Sequence, residues 1–152
     1  MQIIVGPQPD LEVPMALRLA LLAPFTALFM ALAAPAPAQD QAAIEETITA
    51  QLGAFNDRDV LEAWQYASPM IQSIFGNPTN FGMMVQQGYP MVWTNSDARF
   101  LELREVGGRL WQKVMIQDSQ GVAHILDYQM IETENGWQIN GVQVLPAPDL
   151  GV

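Results

Sequence analysis

The 152-residue sequence contains no cysteine, only six basic side chains and a single histidine. Without cysteine, no disulfide can stabilise the fold and no thiolate can act as a nucleophile or a metal ligand. One histidine cannot supply the nitrogen and sulfur ligands of a zinc site, and the acidic pairs lack the spacing of a calcium loop. The sequence therefore predicts neither a metal nor a cofactor.

The shortage of basic residues also limits the partners. Sixteen acidic side chains give a formal net charge of −10 at pH 7. A nucleic acid would meet a repulsive field without a basic stripe to offset it, and an anionic membrane surface is disfavoured for the same reason. We therefore expect neither a nucleic acid nor an anionic membrane as the partner.

The long hydrophobic run lies near the N-terminus, at residues 19–34, after Arg18 and before an Ala-Pro repeat. Together with an Ala-x-Ala site that ends at Ala38, it is typical of a cleavable secretory signal. Asp10 and Glu12 do not suit such a signal, so residues 1–14 are predicted to be a misassigned upstream extension and residues 15–38 the signal. Cleavage after Ala38 would give a periplasmic or secreted protein without a stable membrane anchor; a retained signal anchor is the alternative.

Residues 39–152 are predicted to form one domain with helices first and strands second. Ile44, Ile48, Leu52 and Phe55 follow a helical spacing, which predicts an amphipathic first helix. Further helices are expected after Asp57 or Asp59, after Ser68-Pro69 and after Asn77-Pro78, because each site combines a capping residue with a helix start.

Beyond Tyr89 the apolar spacing changes to two, which predicts strands at residues 98–106, 109–117, 122–133 and 137–145. Residues 91–93 are expected to add a short fifth strand. The predicted fold class is α+β, with short N-terminal helices packed on a curved antiparallel sheet of four to five strands.

Two-residue turns at 107–108, 119–120 and 135–136 would fix the register of this sheet. Gln112 would then face Asp127, Glu102 would face Lys113, Asn140 would face Ile131, and Tyr128 would face Gln143. The face beneath the helices would be mainly aliphatic: Leu101, Leu103, Leu110, Val114, Ile116, Ile125, Ile131, Val142 and Val144. The opposite face would carry amphipathic side chains suited to a homodimer interface: Phe100, Glu102, Arg104, Trp111, Lys113, His124, Tyr128 and Gln143.

Several short strings resemble a bacterial exported family known as domain of unknown function 4864. They begin at Tyr66 (YASP), Phe81 (FGMMV), Gly88 (GYPMVW), Leu126 (LDYQM) and Gly136 (GWQINGV), and the resemblance covers residues 44–145. It implies export and the cone-shaped fold of the nuclear transport factor 2-like superfamily. The family has no established activity, so the resemblance supplies no catalytic residue.

Asp127 is the candidate catalytic residue, because ketosteroid isomerase-like enzymes of this fold place a proton-abstracting carboxylate on the concave face. Burial would raise its pKa towards a useful range, and Gln112, Gln129 or Asn140 could stabilise a developing negative charge. The alternative is that Asp127 and these amides form a buried structural network.

Met84, Tyr89 and Trp93 are candidates for lining a pocket for an apolar ligand, with core packing as the alternative. Two functions are therefore considered. The first is a non-catalytic exported domain that binds a small apolar molecule or an envelope protein and forms a homodimer through the sheet, with Trp111, Tyr128 and His124 at the interface. The second is an isomerase or dehydratase that uses Asp127 as a general base. A purely structural subunit of an envelope complex also stays open.

Overall fold

In the computed structural model, which describes residues 36–147, helices precede a four-stranded antiparallel curved sheet. The predicted α+β class is confirmed. The upstream extension and most of the signal lie outside the described residues. The elements are α1 (Ala36–Asn56), α2 (Val60–Gln65), α3 (Pro69–Phe75), α4 (Pro78–Gly88), α5 (Pro90–Trp93), β1 (Ser96–Val106), β2 (Arg109–Gln117), β3 (Ala123–Thr133) and β4 (Gly136–Leu145).

The starts of α2, α3 and α4 coincide with the predicted caps. Asp59, Ser68 and Asn77 each accept a hydrogen bond from a backbone N–H in the first turn of the helix that follows. Proline occupies the first turn of α3 and of α4, where its missing N–H has no intrahelical partner to lose. These boundaries are set by local chemistry.

Residues 91–93 were predicted as a fifth strand, and that prediction is wrong. They lie in the short helix α5, which begins at Pro90 and contains the buried Val92. Proline fixes φ in the helical range and has no N–H to offer a neighbouring strand. Arg58 links the end of α1 to α5, because its guanidinium donates to the carbonyls of Phe55 and Trp93.

Packing of α1 against the sheet and of α2 against α4 forms the hydrophobic core. The predicted stripe of α1 is buried: Ile44, Ile48, Leu52 and Phe55 are each at most 3 % exposed. Gly82 allows α4 to approach α2, since a Cβ at that position would lie 2.5 Å from Cγ1 of Val60. Among residues 36–147, no helix is both long and apolar enough to cross a membrane.

The strand order is β1-β2-β3-β4. The first hairpin has the predicted two-residue turn, with Val106 opposite Arg109, and Gly107 and Gly108 adopt positive φ. The β2–β3 connection is longer than predicted: Gln117 faces Ala123, which leaves a five-residue loop. Asp118 holds this loop by accepting hydrogen bonds from the N–H groups of Gln120 and Val122.

The longer loop changes the face of every side chain on β3. Gln112 faces Tyr128, and Lys113 faces Asp127, so the predicted pairing of Gln112 with Asp127 is wrong by one residue. Since side chains alternate between faces, this shift exchanges the two faces of the strand. Leu126, Tyr128 and Met130 are buried beneath the helices, whereas Ile125 and Ile131 are only partly buried.

The register also differs from the prediction in β1 and in β4. In β1, Phe100 faces Val114 and Leu103 faces Gln112, so β1 has two residues between these positions where β2 has one. As a result, Phe100 packs against the core and Leu101 is exposed, which is the reverse of the prediction. In β4, Thr133 faces Gly136, so the turn lies at residues 134–135 instead of 135–136, and Ile131 faces Gln138 instead of Asn140. A bulge follows, in which Asn140 is the extra residue between Ile139 and Gly141, and Tyr128 faces Val142 instead of Gln143.

The outer edge of β4 is covered by the link between α2 and α3. Ala67 forms a parallel bridge with Ile139, whose backbone exchanges hydrogen bonds of 2.8 Å with Tyr66 and Ser68. This link brings Ser68 beside Asn140 and places Ala67 at the edge of the space between the helices and the sheet.

Candidate functional site

A cavity of about 240 Å³ lies between the helices and β3–β4. Its inner wall is formed by buried side chains, among them Phe55 and Gln51 of α1, Phe81 and Val85 of α4, and Tyr128 and Ile139 of the sheet. The aromatic part is continuous, because the ring centroid of Phe81 lies 5.9 Å from that of Phe55 and 6.0 Å from that of Phe75. No charged side chain lies among the described residues that line the cavity.

The mouth of the cavity is formed by lining residues that are only partly buried: Ile71, Phe75, Met84, Tyr89, Gly141 and Val142. They come from α3, from the C-terminal end of α4 and from β4. The Tyr89 hydroxyl donates to the Val142 carbonyl over 3.2 Å and so joins two sides of the mouth. The cavity therefore opens between the helices and the sheet.

Two polar side chains interrupt the apolar wall. The Gln51 amide nitrogen donates to the Ala63 carbonyl over 3.1 Å, which joins α1 to α2. Tyr128 is 1 % exposed, and its hydroxyl has no hydrogen-bond partner among the described residues. Burial raises the pKa of the Tyr128 phenol above its ordinary value, so the O–H stays protonated and remains a donor.

Asp127, predicted beneath the helices, lies on the outer face of the sheet and does not line the cavity. It is 3 % exposed and accepts two hydrogen bonds from the Arg104 guanidinium, at 2.9 Å to Oδ1 and 2.5 Å to Oδ2. This bidentate contact raises the pKa of Arg104. The carboxylate is therefore neutralised by a cation on the same face.

The other predicted polar residues divide between two places. On the outer side, Gln129 Oε1 accepts from Arg109 over 3.0 Å and from Asn140 over 2.7 Å, and Asn140 Oδ1 accepts from the Ser68 hydroxyl over 2.8 Å. Gln112 instead lies on the core side, where its Nε2 donates to backbone carbonyls of β1 and β2. The structure therefore does not bring Gln112 to Asp127.

Of the predicted pocket residues, Met84 and Tyr89 line the cavity, whereas Trp93 does not. The Trp93 ring lies 4.6 Å from the Arg58 guanidinium carbon and packs beside Phe55. The prediction that Trp93 contributes to the pocket is therefore wrong, because the α5 turn directs it to this cation–π contact.

The predicted interface residues also separate. Trp111 is partly buried and lies opposite Gln129, on the outer face. Tyr128 is buried within the chain, so its predicted place on an exposed interface is wrong. His124 lies at the end of the sheet, with Nε2 2.8 Å from Asp118 Oδ2, and alternation along β3 places it on the opposite face from Asp127.

Comparison with known proteins agrees with the short strings found in the sequence. The model of the family Domain of unknown function (DUF4864) matches residues 37–152. The chain belongs to this family. Neither the curated proteins nor the solved structures gave a match.

In this DUF4864 chain, the sequence indicated Met84 and Tyr89 but not the inner wall of the cavity. Tyr128 was missed because a two-residue turn was assumed before β3. The run Asp118-Ser-Gln-Gly121 carried a usable signal, since Asp opens a side-chain-stabilised turn and Gly121 adopts φ +78°, as in a longer hairpin loop. Gln51 carried no comparable signal, because its position on α1 suited a surface residue equally well.

Proposed function

We propose that this domain binds a small, neutral and mainly apolar molecule in the cavity between the helices and the sheet, without chemical conversion. The cavity carries the proposal. An apolar cavity of about 150 Å³ holds benzene, so about 240 Å³ accommodates a molecule of roughly ten non-hydrogen atoms. The absence of charged side chains among the described lining residues favours an uncharged ligand, because a buried ion would lack a partner.

The position of Asp127 supports binding over isomerase or dehydratase chemistry. A general base must come within hydrogen-bond reach of the proton that it removes. Asp127 is on the far face from the cavity and is engaged by Arg104 through both oxygens. A substrate in the cavity would therefore meet no carboxylate among the described lining residues.

Two valines on β4 provide the test. Val142 lines the cavity mouth, whereas Val144, two residues along the same strand, is 43 % exposed and does not line it. In the full chain, Val142→Phe should fill part of the cavity and weaken binding of the hydrocarbon α-methylstyrene by at least about tenfold, whereas Val144→Phe should leave it unchanged. Titration calorimetry or ligand-observed NMR measures both. Equal affinity in the two variants, or no saturable binding by the unaltered chain, would refute the proposal.

We also propose export, with residues 15–38 as the cleaved signal and residues 39–152 as the mature domain. The apolar run at 19–34 and the Ala-x-Ala site support this. N-terminal sequencing of the full chain expressed in a Gram-negative bacterium should give Gln39 in the periplasmic fraction; recovery of the unprocessed chain from the cytoplasm would contradict it. Helices packed over a curved sheet with a cavity between them support placement in the nuclear transport factor 2-like superfamily.

A homodimer through the outer face of the sheet remains a proposal, now without Tyr128 and His124. Trp111 is its central aromatic residue, because aromatic side chains are enriched in interface cores. Trp111→Glu should convert a dimer into a monomer in light scattering after size-exclusion chromatography. If the unaltered chain is already monomeric at high concentration, this proposal fails without affecting the cavity.

A further inference from the structure

We propose that the ligand carries a hydrogen-bond acceptor of the carbonyl class, and that Tyr128 selects it by donating its phenolic O–H. This inference rests on the proposed function, since it concerns the molecule that enters the same cavity. It assigns Tyr128 as the residue that determines specificity between polar and purely hydrocarbon ligands of one shape.

The Tyr128 hydroxyl is buried without a partner among the described residues, and the Tyr128 side chain lines the cavity. Tyr128 lies on a central strand, opposite Gln112 on one side and Val142 on the other. The Gln112 amide nitrogen is 2.9 Å from the Lys113 carbonyl, and Tyr128 itself lines the cavity. A buried O–H without a partner is unfavourable, and an acceptor on a ligand would remove that penalty.

The ligand group must be an acceptor because a ligand donor would leave the phenolic proton unpaired. The Gln51 amide on the wall donates one of its two N–H groups to the Ala63 carbonyl. A carboxylate would also accept, but no cation lies among the described lining residues to pair with it. A neutral oxygen on an otherwise apolar skeleton, such as that of a ketone, an aldehyde or an ester, fits these conditions.

The test compares two molecules of matched shape, acetophenone and α-methylstyrene, which differ in a carbonyl against a methylene group. Their dissociation constants are measured with the full chain and with Tyr128→Phe, which keeps the ring and removes only the hydroxyl. The ratio of the two constants should change by about tenfold between the chains, in the direction that loses preference for the ketone. Comparing ratios cancels the different solubilities of the two molecules.

Each outcome has one meaning. An unchanged ratio, with saturable binding of both molecules, would overturn the role of Tyr128 and leave the cavity as a ligand site. Failure of the unaltered chain to bind either molecule would overturn the proposed function as well. A matched Tyr66→Phe variant, which removes a hydroxyl that donates to Glu62 and lies outside the cavity lining, should leave the ratio within about twofold of the unaltered chain.

Discussion

Two sets of buried polar side chains in the sheet differ in how they are paired. On the outer face, both oxygens of Asp127 are paired with Arg104, and Gln129 accepts from two donors. On the face beneath the helices, the Tyr128 hydroxyl and the Gln112 amide oxygen have no partner among the described residues, and neither has the Gln138 amide oxygen of β4. A paired network fixes a structure, whereas an unpaired donor beside a cavity leaves an interaction for another molecule to make.

This difference corrects the expectation drawn from the predicted register and the resemblance. The sequence predicted a catalytic role for Asp127 and an interface role for Tyr128, whereas Asp127 is paired with Arg104 and Tyr128 is buried in the cavity wall. Chemical type is therefore a weaker guide to function than whether a buried group is satisfied.

Removing Arg104 should have the largest effect. Arg104→Met leaves the Asp127 carboxylate almost buried without its cation, and should lower the free energy of unfolding by about 2 kcal/mol; the partial exposure of Arg104 keeps the loss below that of a fully buried pair. Urea denaturation followed by circular dichroism measures it. Lys113→Met, which removes an exposed pair with Glu102, is the control and should cost about 0.5 kcal/mol or less. Similar losses of unfolding free energy in both variants would show that the Arg104–Asp127 pair stabilises the fold no more than an exposed ion pair does.

Replacing Asn140 should have the second-largest effect on stability. Asn140→Ala removes the group that links Gln129 to the Ser68 hydroxyl and should lower the free energy of unfolding by about 1 to 2 kcal/mol, because a buried hydroxyl loses its acceptor. Arg109→Met cuts the same chain of hydrogen bonds at its exposed end and should cost about 0.5 kcal/mol or less. A larger loss of unfolding free energy in Arg109→Met than in Asn140→Ala would contradict this prediction.

One substitution made on two tyrosines should give effects of opposite sign. Tyr128→Phe removes an unpaired buried hydroxyl and should raise the free energy of unfolding of the ligand-free chain by about 1 kcal/mol. Tyr89→Phe removes a hydroxyl that donates to the Val142 carbonyl and should lower it by about 0.5 to 1 kcal/mol. Thermal and urea unfolding measure both. Destabilisation by Tyr128→Phe would show that its hydroxyl is already satisfied in solution.

The smallest expected effect concerns the loop between β2 and β3, whose length determines which side chains of β3 face the helices. The His124 ring and the N–H groups of Val122 and Gln120 lower the pKa of Asp118 below its ordinary value of 3.8. A lowered folded-state pKa adds stability that is present above the unfolded pKa and is lost as the pH falls through the folded pKa. NMR titration of the Asp118 carboxyl should show this shift. In Asp118→Asn, the acid-dependent part of stability should shrink; an ordinary pKa for Asp118 would contradict the loop geometry.

Local signals predicted most of the fold. The caps at Asp59, Ser68 and Asn77 and the turn at Gly107-Gly108 depend on a few adjacent residues, and they lie where the sequence indicated. The predictions that failed depend on the number of residues in a loop or between two positions of a strand. One residue of register before β3 moved Tyr128 into the core, and a bulge in β4 moved Asn140 towards Ser68.

By itself, the sequence determined the α+β class, the family, the order of helices and strands, and the acidic, cysteine-free character that disfavours several kinds of partner. Composition, capping and periodicity are local properties, so a single chain displays them directly. Only the tertiary structure decided that Tyr128 lines the cavity while Asp127 pairs with Arg104 outside it. The reason is that strand side chains alternate between the two faces with a period of two. The length of one loop and the position of one bulge therefore determine which side chains are buried beneath the helices.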